Sequence, residues 1–172
     1  MNRWGWLSAL ALIGLVGCAG SADVRYGTPK IKFSQMQKMV GKWAMLGEDG
    51  KPMPGSALES RFSAGGSAIV ETIFPGEPHE MVSVYHTDGS QILMTHYCAL
   101  GNAPVMRLEP ESDENTWVFH CHGEGTNFHK NDTHMAHGKI TWIDENRFRS
   151  EWTTSVDGVL GESIQFEMVR IE

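Results

Sequence analysis

Ten short segments with the composition and alternation of β-strands restrict the fold of this chain more than any other feature. They cover residues 43–48, 58–63, 67–74, 80–87, 90–99, 104–109, 115–122, 135–144, 147–154 and 163–171. The turn dipeptides Asp49-Gly50, Gly65-Gly66, Asp88-Gly89 and Asp157-Gly158 stand between them and suit the positive φ angles of tight hairpins. Strands joined mainly by hairpins predict an antiparallel meander. No helix of useful length follows the strands, which excludes α/β architectures with crossover helices.

The alternation near the carboxyl end indicates a sheet with one buried face. Phe148 and Trp152 point to one side, whereas Arg147, Arg149 and Glu151 point to the other. A meander of this length avoids exposed edges by closing on itself, and an open sandwich is the alternative. We therefore predict an all-β fold over residues 31–172: an antiparallel up-and-down β-barrel of about ten strands. A short N-terminal helix over Gln35 to Val40, capped by Ser34, precedes it.

The first eighteen residues have the order of an export signal. Arg3 supplies a positive charge, an apolar run follows, and Leu15-Val16-Gly17 leads into Cys18. This order resembles a bacterial lipoprotein signal peptide with its lipobox. The apolar run is too short for a permanent membrane span, which agrees with a cleaved signal. The resemblance implies removal of residues 1–17 and acylation of Cys18, with palmitate among the chains. Residues 18–30 are then a lipidated tether.

The lipid anchor would make the membrane a partner and place the protein in the cell envelope. Ala19 follows the cysteine, and the absence of aspartate at this position favours the outer membrane, facing the periplasm, in a Gram-negative cell. The chain has 14 Lys and Arg against 21 Asp and Glu, a formal net charge of −7. Without a basic patch, such a protein repels nucleic acid, so we expect no nucleic-acid partner. The sequence leaves the oligomeric state unknown.

A short helix leading into Gly41-Lys42-Trp43 resembles the Gly-x-Trp motif of lipocalins and related calycins. The resemblance implies that Trp43 closes one barrel end and that an arginine from a late strand, here Arg170, packs across its ring. Ten strands are typical of fatty-acid-binding and nitrobindin-like barrels. The segments Glu71–Gly76, His79–Met81 and Thr95–Asn102 also resemble an uncharacterised bacterial family with predicted lipocalin-like folds, which implies a fold but no activity.

The leading functional hypothesis is a barrel that binds a small apolar or amphipathic ligand in its lumen. Inward parity places apolar side chains there, with His96 for polar recognition. Tyr97 has the opposite parity, so only one of these two neighbours faces the lumen, and we expect His96. The predicted ligand-binding residues are Phe74, Met94, His96, Trp117, Phe119 and Phe166.

The second hypothesis is a metal- or haem-binding envelope protein. All eight histidines lie between His79 and His137. Strand parity places His96, Cys98 and His134 on the inner face, and imidazole with thiolate suits zinc, copper or haem iron. The cofactor is left open between haem and a transition metal. His120 and His122, on the opposite face, are a second candidate metal site together with His129 or His137.

Cys98 and Cys121 remain once Cys18 is acylated, and disulfides persist in exported proteins. A cross-strand disulfide, two unpaired buried thiols and metal ligation are the three interpretations that the sequence leaves open. Glu71 lies between apolar residues and needs a partner, for which Arg107 or a histidine is the candidate.

A third hypothesis is a non-enzymatic structural or interaction lipoprotein with an exposed apolar patch. The sequence lacks a GxSxG turn and a cysteine–base pair within hydrogen-bond reach, so nothing in it names a catalysed reaction.

Overall fold

The computed structural model describes residues 27–129 and 131–172, and within them the chain forms a closed barrel of ten antiparallel strands. The strands are β1 (Gly41–Met45), β2 (Leu58–Ser63), β3 (Ala68–Ile73), β4 (Met81–Asp88), β5 (Gln91–Tyr97), β6 (Ala103–Leu108), β7 (Thr116–Thr126), β8 (His134–Asp144), β9 (Arg147–Val156) and β10 (Val159–Arg170). Each strand pairs with its neighbours in sequence, and β10 closes onto β1. This confirms the predicted up-and-down barrel. The predicted signal sequence, Cys18 and the predicted tether up to residue 26 lie outside the described residues.

The closing seam contains the Gly-x-Trp motif. Trp43 on β1 is opposite Arg170 on β10, and the guanidinium lies 4.0 Å from the centre of the Trp43 ring. Gly41 has a φ of 136°, a backbone conformation that side chains disfavour. A Cβ there would lie 2.5 Å from Nη1 of Arg170 and 2.5 Å from the carbonyl oxygen of Glu172. Glycine is therefore required for the arginine to reach the tryptophan.

The N-terminal helix differs from the predicted one. It is a 3₁₀ helix over Phe33–Met39, so Ser34 lies inside it rather than at its cap. The side chain of Gln35 reaches back and accepts a 2.7 Å hydrogen bond from the backbone N–H of Lys32. This contact gives the backbone N–H of Lys32, which has no backbone partner within the helix, an acceptor in the first turn. The helix can therefore begin before the position predicted from a cap at Ser34.

Two strands are longer than the sequence pattern indicated, because bulges interrupt their alternation without ending their pairing. Strand β7 continues past His122 and Gly123, where the register with β6 shifts. Strand β10 begins directly after the Asp157-Gly158 turn, and its register with β9 shifts between Leu160 and Ser163. An extra residue in one strand of a pair disrupts the period of two from which strand ends are predicted.

The two ends of the barrel are different. At the end where the 3₁₀ helix packs, Trp43 lies 4.8 Å from Phe148 and 5.8 Å from Trp142 between ring centres, and Trp117 lies 5.2 Å from Trp142. The Lys38 ammonium stands 4.4 Å above Trp142. These buried rings, Trp43, Trp117, Trp142 and Phe148, are the floor of the barrel. Within the described ranges, no helix has the length and apolar character needed to cross a membrane.

Candidate functional site in the barrel lumen

A cavity of about 110 Å³ lies inside the barrel, and no residue of the helix Phe33–Met39 lines it. Its wall is mainly apolar and includes the thioethers of Met45, Met81, Met135 and Met168. One lining residue, Ile164, is 55% exposed, so the cavity reaches solvent at the end opposite the floor. We call this end the mouth. Methionine side chains adapt to irregular shapes, which suits a wall that contacts more than one ligand geometry.

The predicted lumen residues divide by their height in the barrel. Phe74, His96 and Phe166 line the cavity. Met94, Trp117 and Phe119 are fully buried in the packed core and are absent from the cavity wall. The five that lie on strands have the inward parity that the alternation implied. Phe74 follows β3 with a φ of 53° and reaches the cavity through this turn, because the inward positions of β3 are those of Glu71 and Ile73. Parity gives the face of a strand but not the depth along the barrel axis, so it placed half of them too near the ligand space.

Glu71 stands inside the barrel next to two hydroxyl groups. Its carboxylate accepts a 2.9 Å hydrogen bond from the Tyr85 hydroxyl through Oε2. Ser83 is directly opposite Glu71 in the β3–β4 register, and its hydroxyl favours the ionised form of the carboxyl group. Arg107, the partner considered from sequence, instead forms a 2.7 Å ion pair with Glu124. A buried carboxylate is thus held by neutral donors rather than by a cation.

His96 continues this row of polar groups on the next strand. It is opposite Ser83 in the β4–β5 register, and its Nδ1 lies 3.1 Å from Oγ of Ser83. The ring is nearly parallel to that of Trp152 across the barrel, with 5.9 Å between centres and 26° between planes. The other nitrogen, Nε2, is buried and has no hydrogen-bond partner. Tyr97 is exposed, so His96 is the neighbour that faces the lumen.

Burial moves the pKa values of these groups in opposite directions. It raises the pKa of Glu71 to about 7, although the hydrogen bonds from Tyr85 and Ser83 oppose the shift. It lowers the pKa of His96 to about 4, and it raises that of Tyr85, with the nearby Glu71 adding to the effect. In each case the apolar surroundings disfavour the charged form. The lumen at neutral pH therefore holds a neutral imidazole beside a carboxyl group close to its midpoint.

The predicted metal ligands are not assembled in this barrel. Among residues 27–129 and 131–172, no group of three or more His, Cys, Asp or Glu side chains is placed to hold a metal ion. His134 is buried, but its Nδ1 lies 2.7 Å from the carbonyl oxygen of Asp132 and its ring packs 4.6 Å from Phe128. Cys98 lies in the β5–β6 turn, beyond the last residue of β5. The set of His96, Cys98 and His134 predicted by parity is not formed, because parity does not fix their separation around the barrel.

A haem group does not fit the lumen as it stands. Haem is a ligand of at least drug size, and pockets for such ligands have volumes of roughly 300–1,000 Å³. The lumen cavity is about 110 Å³, and among the described residues His96 is the one histidine in its wall.

The two cysteines of the barrel are free thiols, which corrects the disulfide alternative. Cys121 lies on β7, whereas Cys98 follows β5, and β6 pairs between these strands. Two strand spacings amount to about 9–10 Å, whereas a disulfide requires α-carbons within about 7 Å. Cys121 instead donates to the carbonyl oxygen of Glu124 at 3.7 Å, and burial raises the pKa of its thiol.

The outer histidines form a contact group around one carboxylate. His122 Nε2 lies 2.7 Å and His120 Nδ1 3.6 Å from Oε1 of Glu109. The His120 ring packs 4.2 Å from that of His137 on β8. This cluster does not qualify as a metal site within the part of the chain that the structure describes.

The sequence interpretation missed Ser83 and Tyr85 and gave Glu71 the wrong partner. A usable signal existed: Ser83 and Tyr85 occupy the buried parity of β4, and polar side chains at buried positions need partners on the adjacent strands. No protein-family model matches this chain, and no curated protein matches it.

Proposed function

We propose that this barrel binds a small, mainly apolar or amphipathic molecule in its lumen. The observation that supports the proposal most strongly is the apolar cavity of about 110 Å³ that adjoins solvent at the mouth. An engineered protein cavity of about 150 Å³ lined by apolar side chains stays dry and binds benzene. The natural occupant is therefore a compound of about that size, or a longer one whose tail leaves through the mouth.

The energetic basis of binding is the removal of apolar ligand surface from water, which contributes about 25 cal/mol per Å². Phe74 and Phe166 at the mouth, with 6.5 Å between ring centres in an edge-to-face arrangement, provide an aromatic wall. Because the cavity is already formed, a ligand does not have to open a packed core.

The test uses toluene as the probe, with titration calorimetry and ligand-detected NMR on residues 19–172. Ala57 is buried and lines the cavity. Ala57→Leu fills the space and is expected to weaken toluene binding about tenfold or more, because the site loses ligand volume. Ala99→Leu is the matched control, since Ala99 is exposed in the β5–β6 turn. Equal toluene affinity in both variants, or no binding by the wild type, contradicts the proposal.

We further propose that the barrel is a lipoprotein of the cell envelope with a lipocalin-like fold. The support is the order of charge, apolar run and small residues before Cys18, together with the Gly41 and Trp43 arrangement at the floor. Expression of residues 1–172 in a Gram-negative host, followed by intact-mass measurement, tests the anchor. The expected product lacks residues 1–17 and carries acyl chains. Cys18→Ser is expected to abolish acylation, and an unmodified wild-type mass contradicts the anchor.

A further inference from the structure

Among the described residues that line the cavity, one buried side-chain nitrogen or oxygen has no hydrogen-bond partner. Nε2 of His96 is buried and unpaired, while the His96 side chain is 2% exposed and forms part of the cavity wall. A buried nitrogen that lacks a hydrogen bond destabilises the protein, and a ligand group with the complementary polarity would remove this cost.

The polar row sets the choice of polarity at this nitrogen. The Tyr85 hydroxyl donates to the Glu71 carboxylate, and Ser83 stands opposite Glu71 in the β3–β4 register. The 3.1 Å contact between Ser83 Oγ and His96 Nδ1 is compatible with the proton on either atom. A carboxylate is a stronger acceptor than a neutral imidazole, so the favoured arrangement has the Ser83 proton facing Glu71 and the imidazole proton on Nδ1. Nε2 is then left with a lone pair. The free position on the ring is an acceptor, which calls for a donor on the ligand.

The rest of the wall determines the charge and shape of the ligand. No Lys or Arg side chain lines the lumen cavity among the described residues, so nothing neutralises a bound anion. Ser150 Oγ accepts a 3.2 Å hydrogen bond from Nε1 of Trp152 and is already partnered. Glu71 also lines the cavity, but burial raises the pKa of its carboxyl group to about 7. A cationic ligand would lose its hydration in a mainly apolar wall and would require this buried group to be ionised, which is costly. The aromatic side chains of Phe74, Phe148, Trp152 and Phe166 suit a ring.

We propose that the lumen selects a small neutral compound that carries one hydrogen-bond donor on an apolar body, as a phenol does, with Nε2 of His96 as the acceptor. This inference rests on the proposed function, since it names the ligand class of the same cavity.

The decisive comparison is phenol against toluene, two rings of nearly equal size that differ in the donor. A purely apolar cavity prefers toluene, because burying an unpaired hydroxyl is unfavourable. Wild-type protein is expected to bind phenol about tenfold more tightly than toluene, as a hydrogen bond to an otherwise unsatisfied buried group implies. Benzoate and benzylamine are measured alongside, and weaker binding of both is expected.

Two variants at one position separate the hydrogen bond from packing. In His96→Asn, the amide reaches Ser83 but has no atom at the position of Nε2, so the preference for phenol is expected to disappear. In His96→Gln, the longer amide reaches that position, and the preference is expected to return in part. Circular dichroism checks that both variants fold. In the wild type, ¹⁵N NMR of labelled histidine gives a readout independent of the variants, with phenol expected to shift Nε2 of His96 and toluene expected to leave it unchanged.

The outcomes distinguish the two proposals. If toluene binds as well as phenol, or better, the apolar binding function stands and the donor specificity is wrong. The inference also fails if benzylamine or benzoate binds more tightly than phenol, or if phenol leaves the Nε2 signal unchanged. If no compound binds, the proposed function and this inference both fail.

Discussion

The hydroxyl of Tyr85 donates a 2.9 Å hydrogen bond to Oε2 of Glu71 in the interior of the barrel. Both side chains are buried, and they come from adjacent strands, β3 and β4. This pair holds a carboxyl group without a cation, so the interior has an acid whose charge depends on pH near neutrality. The raised pKa of this carboxyl group makes the free energy of unfolding depend on pH in a definite direction.

Glu71→Gln is expected to stabilise the protein above pH 7. An unfolded glutamate has a pKa near 4.5 and Glu71 in the barrel about 7, so between these values only the folded state keeps its proton. Stability therefore falls as pH rises through this window, by about 3 kcal/mol in total. Urea denaturation at pH 4, 6 and 8 measures the difference. Glu77→Gln, in the exposed β3–β4 connection, is the control, and an unchanged pH profile for Glu71→Gln contradicts the prediction.

His96→Asn is expected to have the opposite effect on the pH profile. The pKa of His96 is lowered from 6.5 to about 4, so the unfolded chain binds the proton first as pH falls. Wild-type stability from this residue is present above pH 6.5 and is lost as pH falls toward 4. The variant removes this loss. NMR titration of the His96 ring gives a direct check, and protonation of the folded ring near pH 6.5 would refute it.

The pH dependences of stability that come from Glu71 and His96 have opposite signs. Their combined contribution to wild-type stability is therefore expected to change little between pH 4.5 and 6.5.

Gly41→Ala is expected to destabilise the barrel by about 2–4 kcal/mol, because the new Cβ meets Arg170 and the Glu172 carbonyl while the backbone remains at positive φ. Gly50→Ala is the matched control. Gly50 also has a positive φ, 75°, but no atom lies within 4 Å of the added Cβ. Denaturant unfolding of both variants separates backbone strain from the clash, and equal losses would show that the approach of Arg170 is unimportant.

Arg170→Met is expected to cost about 2–3 kcal/mol. The guanidinium donates to the carbonyl oxygens of Val40 at 2.6 Å and Lys38 at 2.7 Å while it covers Trp43. Its loss leaves partly buried helix-end acceptors without these donors and removes the cation–π contact. Arg149→Met removes an exposed arginine of β9 and is expected to change stability by less than about 0.5 kcal/mol. Thermal unfolding compares the two, and similar melting temperatures would contradict the role given to Arg170.

The sequence alone was sufficient to predict the barrel and the inward direction of His96. Both depend on the alternation of side chains along a strand and on the residues that favour turns. Asp157 and Gly158 both have the positive φ angles that their dipeptide predicted. The polar row in the lumen was not predictable in the same way. It depends on the registers that bring Glu71 opposite Ser83 and Ser83 opposite His96. Register comes from packing across strands, which a single sequence does not reveal.

The separation of the floor from the mouth has a consequence for how such a protein changes over evolutionary time. The Trp43–Arg170 contact and the rings around it lie at one end, and the mouth residues Phe74 and Ile164 lie at the other. Substitutions at distant sites that share no partners contribute almost additively to stability. The mouth can therefore acquire a new ligand preference through successive substitutions while the floor continues to supply the stability that keeps each intermediate folded.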